Sequence, residues 1–320
     1  MKRSVLVGVS LIAVMALCCG CASVLLGVGM WDKRSPAKVE RQREKGRKRW
    51  AALVPGIIAW EDSLKAAGVM RDTGIVVDGC RLHSIYVPAG KPCRRSAIVV
   101  HGFKASPENV MMLVRMYRDS LGFNVLAPSL RHHGYSEGEY VQMGWGDRLD
   151  ILRWSALAHG IFGDTLQVFH GESMGAATVM MASGEPTPEY VRGFIEDCGY
   201  TTAWEEMVYC ASKFLKRDSL VVSRAEKLSV ARYGVNIHEV SSLKQLEKCG
   251  KPMLFIHGSA DELVPVEMAY RNFEAKSRGY RELWIAPGSA HSRSYPDHPA
   301  EYTSRVRKFL EDRVLTYVPD

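Results

Sequence analysis

Ser173 lies at the centre of Gly171-Glu172-Ser173-Met174-Gly175, a G-x-S-x-G pentapeptide preceded by the apolar run LQVFH and followed by the alanine-rich AATVM. That context is a strand feeding a helix, and the glycines permit a turn sharp enough to push the serine hydroxyl out of the chain. A serine hydroxyl is a weak nucleophile near neutral pH and needs a base beside it. Asp261, in FIHGSADELVP, and His291, in IAPGSAHSRS, complete the chain order Ser, Asp, His. Each follows an apolar, strand-like run, so loops can bring the imidazole to the hydroxyl and the carboxylate to the imidazole. The chemistry so assembled is nucleophilic attack on an acyl carbon. Its oxygen becomes negative and needs donors. The backbone N–H groups of Met174, at the helix start, and of Phe103, in VVHGFKAS, are placed to supply them. Asp197, at another strand end, is the rival acid, while Glu262 points elsewhere along its turn. His170 and His257 read as buried, hydrogen-bonded groups at strand ends. His132 and His133 lack the carboxylate or cysteine pattern that completes a metal site, so neither metal nor cofactor is expected.

These residues need a frame. Short runs rich in β-branched residues at Ser96–His101, Phe123–Ala127, Leu166–His170, Val191–Glu196, Pro252–His257 and Arg281–Ile285 read as buried strands. Helical spacing over Pro107–Asp119, Asp147–His159, Met174–Ala182 and Pro299–Arg313 alternates with them. Gly74–Val77 and Arg81–Pro88 suggest an edge hairpin turning at Asp78-Gly79, and residues 51–72 read as one amphipathic helix. Alternation of this kind calls for a mostly parallel central sheet flanked by helices, with its site at the carboxyl ends of the strands. The interval from Asp197 to Pro252 breaks the rhythm, and residues 199–248 are expected to form a small helical cap over the site.

The chain of 320 residues has a formal charge of +7, yet residues 1–50 alone carry +8 and the remainder only −1. The globular part is therefore near neutral, and no nucleic-acid partner is expected. Residues 5–30 contain no charge and exceed the roughly 20 residues that span a bilayer. They suggest a transmembrane anchor over 1–30, with a cleaved signal peptide or lipid attachment near Cys18, Cys19 and Cys21 as alternatives. The basic tract KRSPAKVERQREKGRKR opens a linker over 31–72 that could touch anionic lipid. By the positive-inside rule it favours an inner-membrane protein whose catalytic domain is cytoplasmic, with a secreted or periplasmic placement as the alternative. Cys80, Cys93, Cys198, Cys210 and Cys249 are odd in number and lack close spacing, which fits reduced thiols.

Taken together, VVHGFKAS, APSLRHHGYSEGEYVQMGWGDRLDI, VFHGESMGAATVMMASGE, FIEDCGYTTAWEEM, KPMLFIHGSADELVPVEMA and APGSAHSRSYPDHPAEYTSRVRKFL resemble the α/β-hydrolase superfamily, specifically its bacterial membrane-anchored or secreted branch. The resemblance covers about residues 74–315, within a catalytic domain set at 73–315. It implies the α/β-hydrolase fold, a triad of Ser173, Asp261 and His291, an oxyanion hole at Phe103 and Met174, and a loop from Arg131 to Gly138 bordering the pocket. Phe103, Met174, Tyr200, Trp204 and Met207 would give an apolar pocket entrance suited to a small or medium acyl ester, with Tyr200 and Trp204 equally readable as core of the cap. Hydrolysis of short peptides or of thioesters uses the same machinery and is the alternative. A silent binding module is the competing class, and the oligomeric state is left open.

Overall fold

Apolar and β-branched runs pair into an eight-stranded sheet in a computed structural model that describes residues 34–213 and 218–317. The strands are β1 (Arg71–Val77), β2 (Cys80–Val87), β3 (Arg95–Val100), β4 (Asn124–Pro128), β5 (Leu166–Glu172), β6 (Val191–Asp197), β7 (Met253–Gly258) and β8 (Arg281–Ala286). Their spatial order is β1-β2-β4-β3-β5-β6-β7-β8. All pairs from β4 to β8 are parallel, and only the β1–β2 and β2–β4 pairs are antiparallel. The hairpin turns at Asp78-Gly79, where both residues have positive φ, 50° and 77°, as a two-residue primed turn requires.

Side-chain alternation along the strands divides the core into two layers. Ile98, Val100 and Phe169 face Trp154 and the Met180–Met181 pair, whereas Ala97, Val99 and Val168 face Tyr117, Tyr302 and Phe309. The principal helices are α1 (Pro36–Leu53), α2 (Ile57–Ala66), α3 (Asp147–Phe162), α4 (Met174–Ser183), α5 (Ala203–Ser212), α6 (Asp218–Tyr233), α7 (Val266–Ala275) and α8 (Pro299–Phe309). The helical spacing at 107–119 resolves into three short turns, Pro107–Val110, Met111–Arg115 and Met116–Leu121. After β6 the chain leaves the sheet as a helical cap of α5 and α6. The cap closes at its base, where Thr202 bridges Ser241 and the Ser242 amide donates to the Thr201 carbonyl at 2.8 Å.

The N-terminal region differs from expectation. Residues 51–72 do not form one helix. Α helix ends at Leu53, Gly56 takes φ 76°, a second helix runs only to Ala66, and β1 starts at Arg71. Nor is the basic tract a spacer held out to lipid. Arg43 Nε donates to Glu108 at 3.0 Å and Arg47 Nε to Glu61 at 3.0 Å, and both acids are buried. Arg34 donates to the carbonyls of Gly134 and Ser136, and Trp50 enters the core. Arg34, Arg43 and Arg47 thus answer partners in the fold. Among the described residues no helix is long and apolar enough to cross a membrane, and the run 5–30, on which the anchor rested, lies outside them. The membrane-anchored branch, the lipid partner and the inner-membrane location with a cytoplasmic domain are accordingly withdrawn.

Candidate active site

The turn from β5 into α4 sets the site. Ser173 has φ 58° and ψ −120°, a strained conformation for a residue with a side chain. It persists because its surroundings leave no alternative. The Ser173 amide donates to the Asp197 carbonyl at 2.8 Å, tying the corner to the end of β6. A Cβ on Gly171 would overlap the Gly175 carbonyl, and one on Gly175 would overlap the Val100 carbonyl. Both glycines of the pentapeptide are thus demanded by close backbone approach.

His291 sits in the loop after β8, and its Nε2 lies 2.8 Å from Ser173 Oγ. Its Nδ1 lies 2.7 Å from Asp261 Oδ2. The other oxygen of Asp261 accepts from the amides of Leu263 and Val264, each at 2.9 Å, so the carboxylate cannot rotate freely. Burial alone would push this carboxyl up, but hydrogen bonds from His257 and His291 outweigh it and hold Asp261 well below the usual carboxylate range. His257 approaches from behind. Its Nε2 lies 2.9 Å from the Val264 carbonyl and 3.3 Å from Asp261 Oδ2, and because that carbonyl only accepts, Nε2 carries the proton.

The proposed oxyanion donors flank the same corner. Met174 is the first residue of α4, whose opening amides have no carbonyl four residues back to bond. Gly102 lies against Ser173: a Cβ there would come 3.1 Å from the serine Cβ and 3.5 Å from its Oγ, which puts the Gly102–Phe103 turn beside that hydroxyl. Two histidines brace that turn. His101 Nδ1 donates to the Gly102 carbonyl at 2.8 Å while its Nε2 accepts from the Leu130 amide at 3.1 Å. His133 Nδ1 donates to the Arg131 carbonyl at 2.9 Å and its Nε2 accepts from the Lys104 amide at 3.0 Å. These arrangements need neutral rings, and burial lowers His101 to about 4 and His133 well below its ordinary value. His132 turns its Nδ1 to the Gly138 carbonyl at 2.8 Å. The adjacent Arg131 forks onto Asp150 at 2.6 and 3.0 Å, anchoring the 131–138 loop to α3.

Asp197, the rival acid, is engaged elsewhere, accepting from Ser294 at 3.1 Å and Tyr302 at 3.0 Å. Of the expected pocket residues, Tyr200 is buried with its hydroxyl on the Met143 carbonyl at 2.9 Å, and Met207 is buried in the same extended apolar cluster. Trp204 stacks on His238 with ring centroids 4.1 Å apart. Trp204 thus packs against another cap residue while Tyr200 ties the start of the cap to the Met143 loop, and the Phe103 ring is partly exposed.

Sequence reasoning passed over two groups. The Cys198 thiol lies with Asp261 and His291 so that their ligand atoms fall within 4.8 Å of one another. Burial, aided by the charges of Asp197, Asp261 and Glu172, pushes that thiol well above its ordinary value, which makes it a poor thiolate ligand. Glu206, on α5, was read only as part of a cap segment. Its i, i+3, i+7 relation to Tyr209 and Lys213 was the available signal, but nothing in the sequence told which surface that helical face would meet.

No family model matches the chain. It is 29% identical over 252 residues to the uncharacterised protein YqkD of Bacillus subtilis, a match spanning 76% of this chain and 80% of that one. Among solved structures, an esterase of Pyrococcus furiosus is 22% identical with a TM-score of 0.63, covering 78% of this chain and 94% of its own. Est1E of Butyrivibrio proteoclasticus, solved with ferulic acid bound, is 18% identical with a TM-score of 0.59, covering 76% of this chain and 100% of its own. The acylaminoacyl peptidase of Pyrococcus horikoshii is also 18% identical with a TM-score of 0.59, covering 79% of this chain and 43% of its own. With the sheet order, the helical cap and the elbow at Ser173, these likenesses show that the chain has the α/β-hydrolase fold.

Proposed function

We propose that the protein is a serine hydrolase of small acyl compounds. The observation that carries this reading is the continuous line from Asp261 Oδ2 through both nitrogens of His291 to Ser173 Oγ, with contacts of 2.7 and 2.8 Å on a strained elbow. Asp261 holds the His291 tautomer with hydrogen on Nδ1, leaving Nε2 free to take the Ser173 proton. The serine oxygen bonds to the acyl carbon, and the former carbonyl oxygen takes negative charge beside the amides of Phe103 and Met174. Collapse breaks the bond to the leaving group, which receives the proton from His291 Nε2. Water then gives a proton to the same nitrogen, attacks the acyl-enzyme, and releases the acid as the proton returns to Ser173.

The same steps cleave esters, thioesters and amides. Within that set, a second reading as a hydrolase of short peptides or other aminoacyl compounds is favoured over simple esters by one feature. The cap presents a buried carboxylate, Glu206, on the helix above the Asp261 loop. The fold-level likeness to an acylaminoacyl peptidase is compatible with it. A fluorophosphonate probe tests the reaction class: the wild type is labelled and Ser173→Ala is not. An unlabelled wild type would overturn the serine mechanism. Rates on short-chain p-nitrophenyl esters against aminoacyl p-nitroanilides then rank the two substrate readings, with faster turnover of the anilides expected relative to their chemical reactivity.

A further inference from the structure

Glu206 is 8% exposed, yet its Oε2 is buried with no hydrogen-bond partner among the described residues. Native proteins leave few buried carboxylate oxygens in that condition, because the lost hydration is not replaced. Its other oxygen accepts from the Cys210 thiol at 3.1 Å, one turn along the same helix. Lys213, on the same helix face, gives its hydrogen bond to the Glu262 carbonyl and acts on Glu206 only through space.

The direction in which Glu206 faces follows from the helix. Residues 206, 209 and 213 stand at i, i+3 and i+7 and so share one side. Tyr209 Oη lies 3.2 Å from the Glu262 carbonyl, and Lys213 reaches the same atom, so this side of α5 is pressed against the loop that carries Asp261. Glu206 is one turn closer to the start of α5 on that face. Its charge is felt at the site: burial pushes its carboxyl up to about 7, and His291 and Asp261 act on it in opposite senses. A carboxylate poised so close to neutrality in a dry setting is stabilised by any ammonium brought beside it.

We propose that Glu206 is the binding group for a primary ammonium on the substrate, so that the preferred acyl donors are aminoacyl esters or amides whose amine lies close to the scissile carbonyl. This rests on the serine-hydrolase reading and adds to it the substrate class. Oε2 supplies the acceptor, and the ammonium supplies both the missing donor and the countercharge.

The test is a matched pair, L-alanine methyl ester and methyl propanoate, which differ by the amine. Hydrolysis is followed by pH-stat at pH 7 for the wild type, Glu206→Gln and Glu206→Leu. The ratio of kcat/KM values for the two esters is compared between proteins, which cancels their intrinsic reactivities. A charge-assisted hydrogen bond predicts that the ratio falls by about tenfold or more in both variants. A ratio that stays within about twofold of the wild type in both overturns the proposal. Fluorophosphonate labelling of the same preparations separates the two levels of inference. An unlabelled wild type sinks the serine mechanism, whereas labelling with an unchanged ratio sinks the role of Glu206 alone. If neither variant is labelled, the wild type decides: alaninamide must protect Ser173 from the probe better than propanamide at equal concentration, and equal protection overturns the proposal.

Discussion

Exchanging Asp261 for asparagine keeps the size of the side chain and changes one oxygen into an N–H₂ group. The surroundings decide which oxygen. Oδ1 accepts from the amides of Leu263 and Val264, both at 2.9 Å, and an amide nitrogen there would oppose two donors. The asparagine is therefore fixed with its oxygen on the backbone and its nitrogen where Oδ2 now faces His291 Nδ1 at 2.7 Å. That nitrogen donates, so His291 must accept at Nδ1 and carry its hydrogen on Nε2. The imidazole then points a proton at Ser173 Oγ and cannot remove one. His257 loses its 3.3 Å contact with the carboxylate but keeps the Val264 carbonyl at 2.9 Å, so the damage is concentrated on His291. Tautomer reversal of this kind costs on the order of 10⁴ in kcat, or about 5.5 kcal/mol of barrier. The assay is kcat on p-nitrophenyl acetate with the fluorophosphonate labelling rate of Ser173 beside it, and a folded state verified by an unfolding free energy in urea within about 1 kcal/mol of the wild type. Retention of kcat within about tenfold of the wild type, in a folded variant, would refute the claim that Asp261 sets the tautomer.

Other changes probe the frame around the site. Arg131→Met leaves Asp150, 3% exposed, without its two-pronged partner; Arg153 at 3.3 Å is half-exposed and compensates only in part, so urea unfolding is expected to show a loss of about 3 kcal/mol. Gly175→Ala forces a methyl into the Val100 carbonyl, and little soluble protein or a loss of about 3 kcal/mol is expected, against the few tenths of an ordinary helix Gly→Ala change. Burial and the neighbouring Asp197 raise the Glu172 carboxyl to about 8, with Glu196 at about 8 and Asp197 at about 6 behaving alike. Between the unfolded value of 4.5 and about 8 the native state keeps a proton on Glu172 that the unfolded chain has lost, so stability must fall as pH rises through that window and level off above it. Lowered buried histidines such as His101 act in the opposite sense below about pH 6.5, so the readout is the difference between proteins. From pH 5 to 8, Glu172→Gln should lose less stability than the wild type by up to about 1.4 kcal/mol per pH unit in urea unfolding, and an equal slope in the variant overturns the assignment.

The parts of this molecule that a reader can find in its sequence are those whose causes are local. Ser173 is announced by a strand, two glycines and a helix within a few residues, and the structure supplies the reason, since Gly171 and Gly175 each touch backbone that leaves no room for a side chain. The buried strands are announced by short runs of β-branched residues, and parallel pairing follows from the helices between them. The basic tract misleads because its meaning is not local. Arg43 and Arg47 read as solvated or lipid-seeking until Glu108, 65 positions on, and Glu61, beyond the break at Gly56, are seen to be buried against them. His133 reads only as a histidine without a completed metal pattern until Lys104, 29 positions earlier, is found bonded to it.

The same distinction explains why Glu206 was invisible. Helical periodicity correctly groups it with Tyr209 and Lys213, but only the fold says that this face rests on the Asp261–Glu262 loop rather than on solvent. A carboxylate on an exposed helix face is ordinary, whereas one held dry against the Asp261 loop is costly unless something it binds repays the lost hydration. The cap thus has a physical task besides covering the site. By removing water from Glu206 it lowers the stability of the empty protein, and on the proposed reading it strengthens the binding of an ammonium, which is how a fold common to many chemistries can be turned toward one class of acyl donor.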